Sequence, residues 1–166
     1  IFDNNEYFDV VTEYAKADSE DLLIKITVYN RSEKSASLHL LPTLWIRNFW
    51  SFKEDIVKPS IKKQVQNNKD YVVVSHPYVA NYNFYFDDAS KLLFTENETN
   101  DEAVFGTPND HPFKKDLFHN AVVNDDYSLA TKNSEGIKFA PLYFLNVEAG
   151  ASYSVKMRLS HKKIDN

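Results

Sequence analysis

The chain has no cysteine in 166 residues, which excludes thiolate metal sites, iron–sulfur clusters, disulfide frameworks and thiol nucleophiles. Glycine is nearly as scarce, with three residues where average usage of about 7% would give roughly twelve. Gly106, Gly136 and Gly150 stand too far apart to form the phosphate cradle of a P-loop or a dinucleotide fingerprint. Positive charge is in deficit, 19 Lys and Arg against 24 Asp and Glu, for a net −5. Lys62-Lys63 and Lys162-Lys163 are isolated pairs, so the clustered basic footprint of a nucleic-acid partner is missing. The longest nearly apolar run, Phe139 to Leu145, contains Pro141 and falls far below the ~20 residues of a membrane-spanning helix. No nucleic acid and no membrane is expected as a partner. Methionine occurs once, at Met157, and the first residue is Ile1. That combination predicts a piece cut from a longer protein.

What the chain does hold is aromatic and β-branched: twelve Phe, ten Tyr and two Trp, residues that favour strands. Leu22, Ile24, Ile26 and Val28 alternate with Leu23, Lys25, Thr27 and Tyr29, the period of a half-buried strand. Tyr7 to Lys16 alternates similarly, with Phe8, Val10, Thr12 and Tyr14 on one face, and Ala17 to Asp21 reads as the hairpin loop between the two segments. A third strand is expected from Ala36 to Leu41, ended by Pro42, and a long irregular segment after it. Further strands are expected at Tyr71–Ser75, Asn81–Phe86, Lys91–Thr95, Phe139–Val147 and Tyr153–Ser160. Glu148 to Ala151 reads as a hairpin turn joining the last two. One short helix fits Lys114 to Val123. The expected fold class is all-β, an antiparallel β-sandwich over residues 1–166 as one domain.

The most unusual segment runs from Leu41 to Phe52 and carries both tryptophans, Trp45 and Trp50, with Arg47 and Asn48. Trp faces offer platforms for the C–H faces of a sugar, and Arg and Asn supply hydrogen-bonding groups for its hydroxyls. The competing reading is that these aromatics pack beneath a loop or against a neighbouring domain. Glycosidic hydrolysis needs two carboxyl groups roughly 5 to 9.5 Å apart. The close acids Glu96, Glu98 and Asp101, Asp87-Asp88 and Asp125-Asp126 are equally polar turns. No catalytic pair is assigned. The five histidines contain no H-E-x-x-H pair, and neither a metal nor a cofactor is expected. Lys114 to His119 sets charge beside a helix start, where amides can bind an oxyanion, or forms a solvated turn. The sequons at Asn30 and Asn97 are no more than chance gives in a chain this rich in asparagine, serine and threonine.

Several runs, taken in order, resemble a known family. Tyr7-Phe8-Asp9-Val10, Glu13-Tyr14-Ala15-Lys16, Asp21-Leu22-Leu23-Ile24, Leu40 to Trp45 and Arg47-Asn48 are similar to the amino-terminal region of bacterial proteins related to glycoside hydrolase family 63, the mannosyl-oligosaccharide glucosidase-like enzymes. Phe94 to Asn100, Lys115-Asp116, His119, Gly136 with Lys138, and Arg158-Leu159 continue the match over nearly the whole chain. Leu117, Ile137 and Phe49 depart from the family pattern. The resemblance implies a supersandwich-like β-sandwich beside a C-terminal (α/α)6 barrel that carries the catalytic acids, and an α-glucoside substrate for the intact protein. It implies a bacterial cytoplasmic or periplasmic setting without choosing between them. On this reading the chain is a non-catalytic accessory domain that braces the barrel, and Trp45, Arg47, Trp50 and Asp116 are its candidate substrate contacts. Two other readings stand beside it: an autonomous carbohydrate-binding module using the same tryptophans, and a small enzyme acting alone. A domain that docks on a barrel is expected to expose a broad apolar patch, and a free module a narrow aromatic strip.

Overall fold

The computed structural model describes residues 6–50 and 56–164. The chain opens with strands β1 (Phe8–Asp18), β2 (Asp21–Asn30), β3 (Ala36–Leu40) and the two-residue β4 (Leu44–Trp45). Next come β5 (Ser60–Gln66), β6 (Lys69–His76), β7 (Val79–Phe86) and β8 (Lys91–Thr95), then helices α1 (Asp101–Phe105) and α2 (Leu117–Val123). β9 (Glu135–Gly136), β10 (Lys138–Val147) and β11 (Ser152–Ser160) complete the fold. It is all-β, with two antiparallel sheets. One sheet has seven strands in the order β1-β2-β11-β7-β6-β5-β9. In the other, β10 pairs with β3 and β4 along one edge and with β8 along the other.

The alternation read from the sequence places the core. Ile24, Ile26 and Val28 of β2 stand opposite Met157, Val155 and Tyr153 of β11, and most of this face meets Phe94, Phe139, Tyr143, Leu145 and Val147 of the second sheet. The opening strands pair as expected, Val10 opposite Val28 and Tyr14 opposite Ile24. The apolar run at Phe139–Leu145 has its cause in β10 being covered twice. Phe139, Tyr143, Leu145 and Val147 enter the main core, while Ala140 and Leu142 join Leu93, Phe118, Ala121 and Tyr127 in a second cluster beneath α2.

Two expectations are corrected. Glu148–Ala151 is not a hairpin turn, because β10 and β11 belong to different sheets. The turn, closed by Ala151 N–H on the Glu148 carbonyl at 3.0 Å with Gly150 at φ 66°, carries the chain across the sandwich. Pro42 lies just past the end of β3, as expected, but the register resumes beyond it in β4. Leu40 faces Tyr143 and Leu44 faces Phe139 in one continuous register, which sets Pro42 opposite Pro141, so that neither offers an N–H to the ladder. Trp45 therefore lies on a strand. The segment expected to be irregular also contains β5, of which Ile61 is buried while Val65 is exposed, and the short β9 completes that edge. Beside the expected helix, which begins at Leu117, stands the one-turn α1, capped by Asn100 and Gly106 and burying none of its residues.

Candidate functional site

Gly136 draws the later part of the chain onto the earlier. A Cβ there would lie 2.5 Å from the Thr95 carbonyl oxygen, which itself accepts the Ile137 N–H at 3.1 Å. Thr95 donates its hydroxyl to the Lys114 carbonyl at 3.0 Å, and Lys115 N–H donates to the Glu98 carbonyl at 2.9 Å, so residues 95–98 run beside 113–115. Asn97 ties this pair of segments to the tryptophan segment by donating to the Ile46 carbonyl at 3.0 Å. Three stretches far apart in sequence thus meet at one end of the sandwich.

Glu98 is the pivot of this end. Its carboxylate accepts from Trp50 Nε1 at 3.3 Å and lies 3.3 Å from Lys58 Nζ, 3.1 Å from His111 Nε2 and 3.5 Å from Lys114 Nζ. Lys58 also pairs with Glu96 at 2.8 Å and sits 5.8 Å from the Trp50 ring centre, where its charge meets the negative ring face. Lys114 is deeply buried, its side chain 6% exposed, and holds Asp110 at 2.6 Å. Burial raises the Glu98 carboxyl, but Trp50, Lys58 and His111 together outweigh it and hold the group below its ordinary range. Burial depresses the Lys114 ammonium, yet Asp110 and Glu98 leave it raised. Lys58 is raised for the same reason, burial being overcome by Glu96 and Glu98.

Glu98, Asp110 and His111 bring three donor atoms within 4.8 Å of one another, a spacing compatible with a cation. Two ammonium groups already neutralise these carboxylates. The arrangement is that of an internal salt-bridge network, and it offers no free carboxylate pair for acid–base chemistry.

The sequence candidates divide. Trp50 is anchored by Glu98 and packs edge-on against Phe49, whose ring also meets His76 and Tyr78 at the β6–β7 turn. Asp116 precedes α2 and accepts from Asn100 at 2.8 Å and Asn120 at 3.3 Å. Trp45 is 56% exposed although its backbone is pinned opposite Lys138, and Lys138 donates to the Lys115 carbonyl. Arg47 is exposed, and no ion pair engages it among the described residues. Ser51 and Phe52 lie outside the described residues. The network partners Lys58, Lys114 and His111 were not legible as a site. They stand 40, 16 and 13 residues from Glu98, spacings that carry no motif.

This division predicts opposite responses from the two tryptophans. Trp50→Ala is expected to cost about 3 kcal/mol, toward the low end for deletion of a packed aromatic, whereas Trp45→Ala should stay within about 0.5 kcal/mol, as a surface change does. Paired urea melts check this, and equal losses would remove the distinction between anchor and platform.

No protein-family model matches the chain, and no curated protein matches it.

Proposed function

We propose that this chain is a non-catalytic accessory domain of an α-glucosidase-like glycoside hydrolase, bracing a helical catalytic barrel and lending the Trp45–Arg47 edge to its substrate cleft. The observation that carries the reading is the contrast between two tryptophans five residues apart. Trp50 is locked into the Glu98 network, while Trp45, on β4, stays open to solvent and the exposed Arg47 just beyond it has no ion pair among the described residues. A fixed aromatic face beside an exposed fork of donors suits a sugar ring and its hydroxyls, at little entropic cost. Asp116, engaged by two asparagine amides, serves as a positioning residue for the neighbouring loop.

Two further observations favour bracing. Val57, Tyr78 and Val79 are exposed on segments that adjoin the Phe49–Trp50 cluster, giving that end apolar surface suited to a neighbouring domain. The carboxylates nearest the candidate site are bound to lysines, leaving the general acid and base of hydrolysis to the barrel.

The isolated chain is expected to hydrolyse no aryl α-glucoside above the uncatalysed background. In the intact protein, Trp45→Ala or Arg47→Ala should lower kcat/KM with little change in melting temperature. Turnover by the chain alone, abolished by replacing one of its own carboxylates, would overturn the proposal. Saturable binding of an α-gluco-oligosaccharide to the chain alone, lost in Trp45→Ala, would favour an autonomous binding module.

A further inference from the structure

We infer that β1 is a self-association edge: two copies of this chain pair their β1 strands antiparallel about a two-fold axis at Thr12, joining two seven-stranded sheets into one. The starting observation is a long strand with one unused side. β1 spans 11 residues, pairs only with β2, and among the described residues no strand lies along its other edge. The Arg31 N–H donates to the Tyr7 carbonyl, and in this register Tyr7 stands opposite Arg31. Odd-numbered residues therefore turn their backbone groups toward β2. Phe8, Val10, Thr12, Tyr14 and Lys16 turn theirs outward, a regular row of open donors and acceptors.

Solvent-facing edges are ordinarily protected by proline, by bulges within the strand, or by free charges. From Phe8 to Lys16 this strand has no proline, and its one register shift comes only after Lys16. Its three carboxylates are already paired within the chain, Asp9 with Arg31 at 2.6 Å, Glu13 with Lys25 at 3.2 Å and Asp18 with Lys162 at 3.5 Å, and the charge of the outward row, Lys16, stands at its end. The same edge concentrates exposed apolar side chains: Val10 at 54% and Tyr14 at 66% on one face, Val11 on the other. Such a strand is built to be covered.

The sequence of the edge is complementary to itself in one register. With Thr12 opposite Thr12 of the second copy, Val10 meets Tyr14 on both sides of the axis, Val11 meets Glu13, Asp9 meets Ala15 and Phe8 meets Lys16. No like charges face each other, and the aromatic and β-branched pairs are of the kind that stabilise ladders. Centring on Glu13 sets that carboxylate against itself, centring on Val11 sets Asp9 against Glu13, and centring on Tyr14 runs the ladder into the bulge after Lys16. An axis at Thr12 keeps every outward amide and carbonyl from Phe8 to Lys16 in register, and closed two-fold pairing leaves no free β1 edge for further growth.

The test exploits the residue that meets itself. Sedimentation equilibrium of the wild-type chain, from low to high micromolar, should show a species of twice the 19.2 kDa chain mass. Thr12→Lys and Thr12→Glu should each be monomeric, and mixing the two should restore the dimer, because opposite charges then meet on the axis. Amide exchange at Val10, Thr12 and Tyr14 of the wild type should slow as concentration rises, a readout that needs no variant to fold. A monomeric wild type throughout, a dimer that persists in both single variants, a mixture that stays monomeric, or exchange independent of concentration would each overturn the inference.

Discussion

Phe139→Ala is expected to destabilise the chain by about 3 to 5 kcal/mol, the range for removing a large buried aromatic. Phe139 is fully buried near the start of β10. Its ring centre lies 4.9 Å from that of Phe94 in its own sheet, and 5.4 Å and 6.4 Å from those of Phe86 and Phe84 in the facing sheet. The backbone there cannot relax into the space left behind, because it is paired with Leu44 on one side and Phe94 on the other. The cavity term therefore adds to the lost transfer energy instead of being relieved by collapse. In urea the midpoint should fall while the slope stays unchanged, as for a loss of stability without a change in the surface exposed on unfolding. Phe139→Leu, which refills most of the volume, should recover much of the loss. A cost below about 1 kcal/mol for the alanine variant would mean that the two sheets are held together elsewhere.

That position also marks what the sequence makes legible. β2 and β11, each with one face in the core, announce themselves by alternation, as does β1 although it is almost wholly exposed; the β1–β2 pairing follows from it, whereas β11, expected beside β10, pairs with β2 and β7. β10 breaks the alternation because α2 covers its second face, so it reads as a continuous apolar run whose depth in the fold is not apparent. β5 is obscured for the opposite reason, since Lys63 and Gln64 interrupt its apolar count, and the strand is specified mainly by its pairing with β6. The turn at Gly150 has hairpin chemistry in a sandwich crossing, because turn residues record local backbone shape and carry nothing about which sheet the next strand joins.

The site was legible only in part, and again for a physical reason. Aromatic composition drew attention to Trp45 and Trp50, but exposure is decided by distant partners, and the Glu98 and Lys58 contacts separate a half-buried clasp from an open face. The acidic run around Glu96 and Glu98 looks in sequence like a polar turn or a pair of catalytic acids. It becomes a salt-bridge hub because Lys58 and Lys114 arrive from other segments.

The hub supplies the second large effect, and one that depends on pH. Glu98→Gln keeps an oxygen to accept the Trp50 N–H but removes the charge that faces Lys58, His111 and Lys114. Lys114 is nearly buried, and an ammonium there keeps only Asp110, a carboxylate that is itself largely solvated. Breaking a fully buried pair costs about 3 to 5 kcal/mol; with Glu98 19% exposed and Asp110 still in place, a loss of about 2 kcal/mol is expected at neutral pH. The pH dependence has a definite sign. Because the network holds the folded carboxyl below its ordinary value of 4.5, Glu98 stabilises fully above that value, and the contribution fades as pH falls through the lower folded value. Asp18, Asp21, Asp110 and Asp126 are depressed too, so the wild type and the variant both lose stability in acid. Their difference isolates Glu98. Melting temperatures recorded from pH 7 downward should show a wide gap that is constant above about pH 4.5 and narrows below it, and a gap of the same width at every pH would assign the loss to packing rather than to charge.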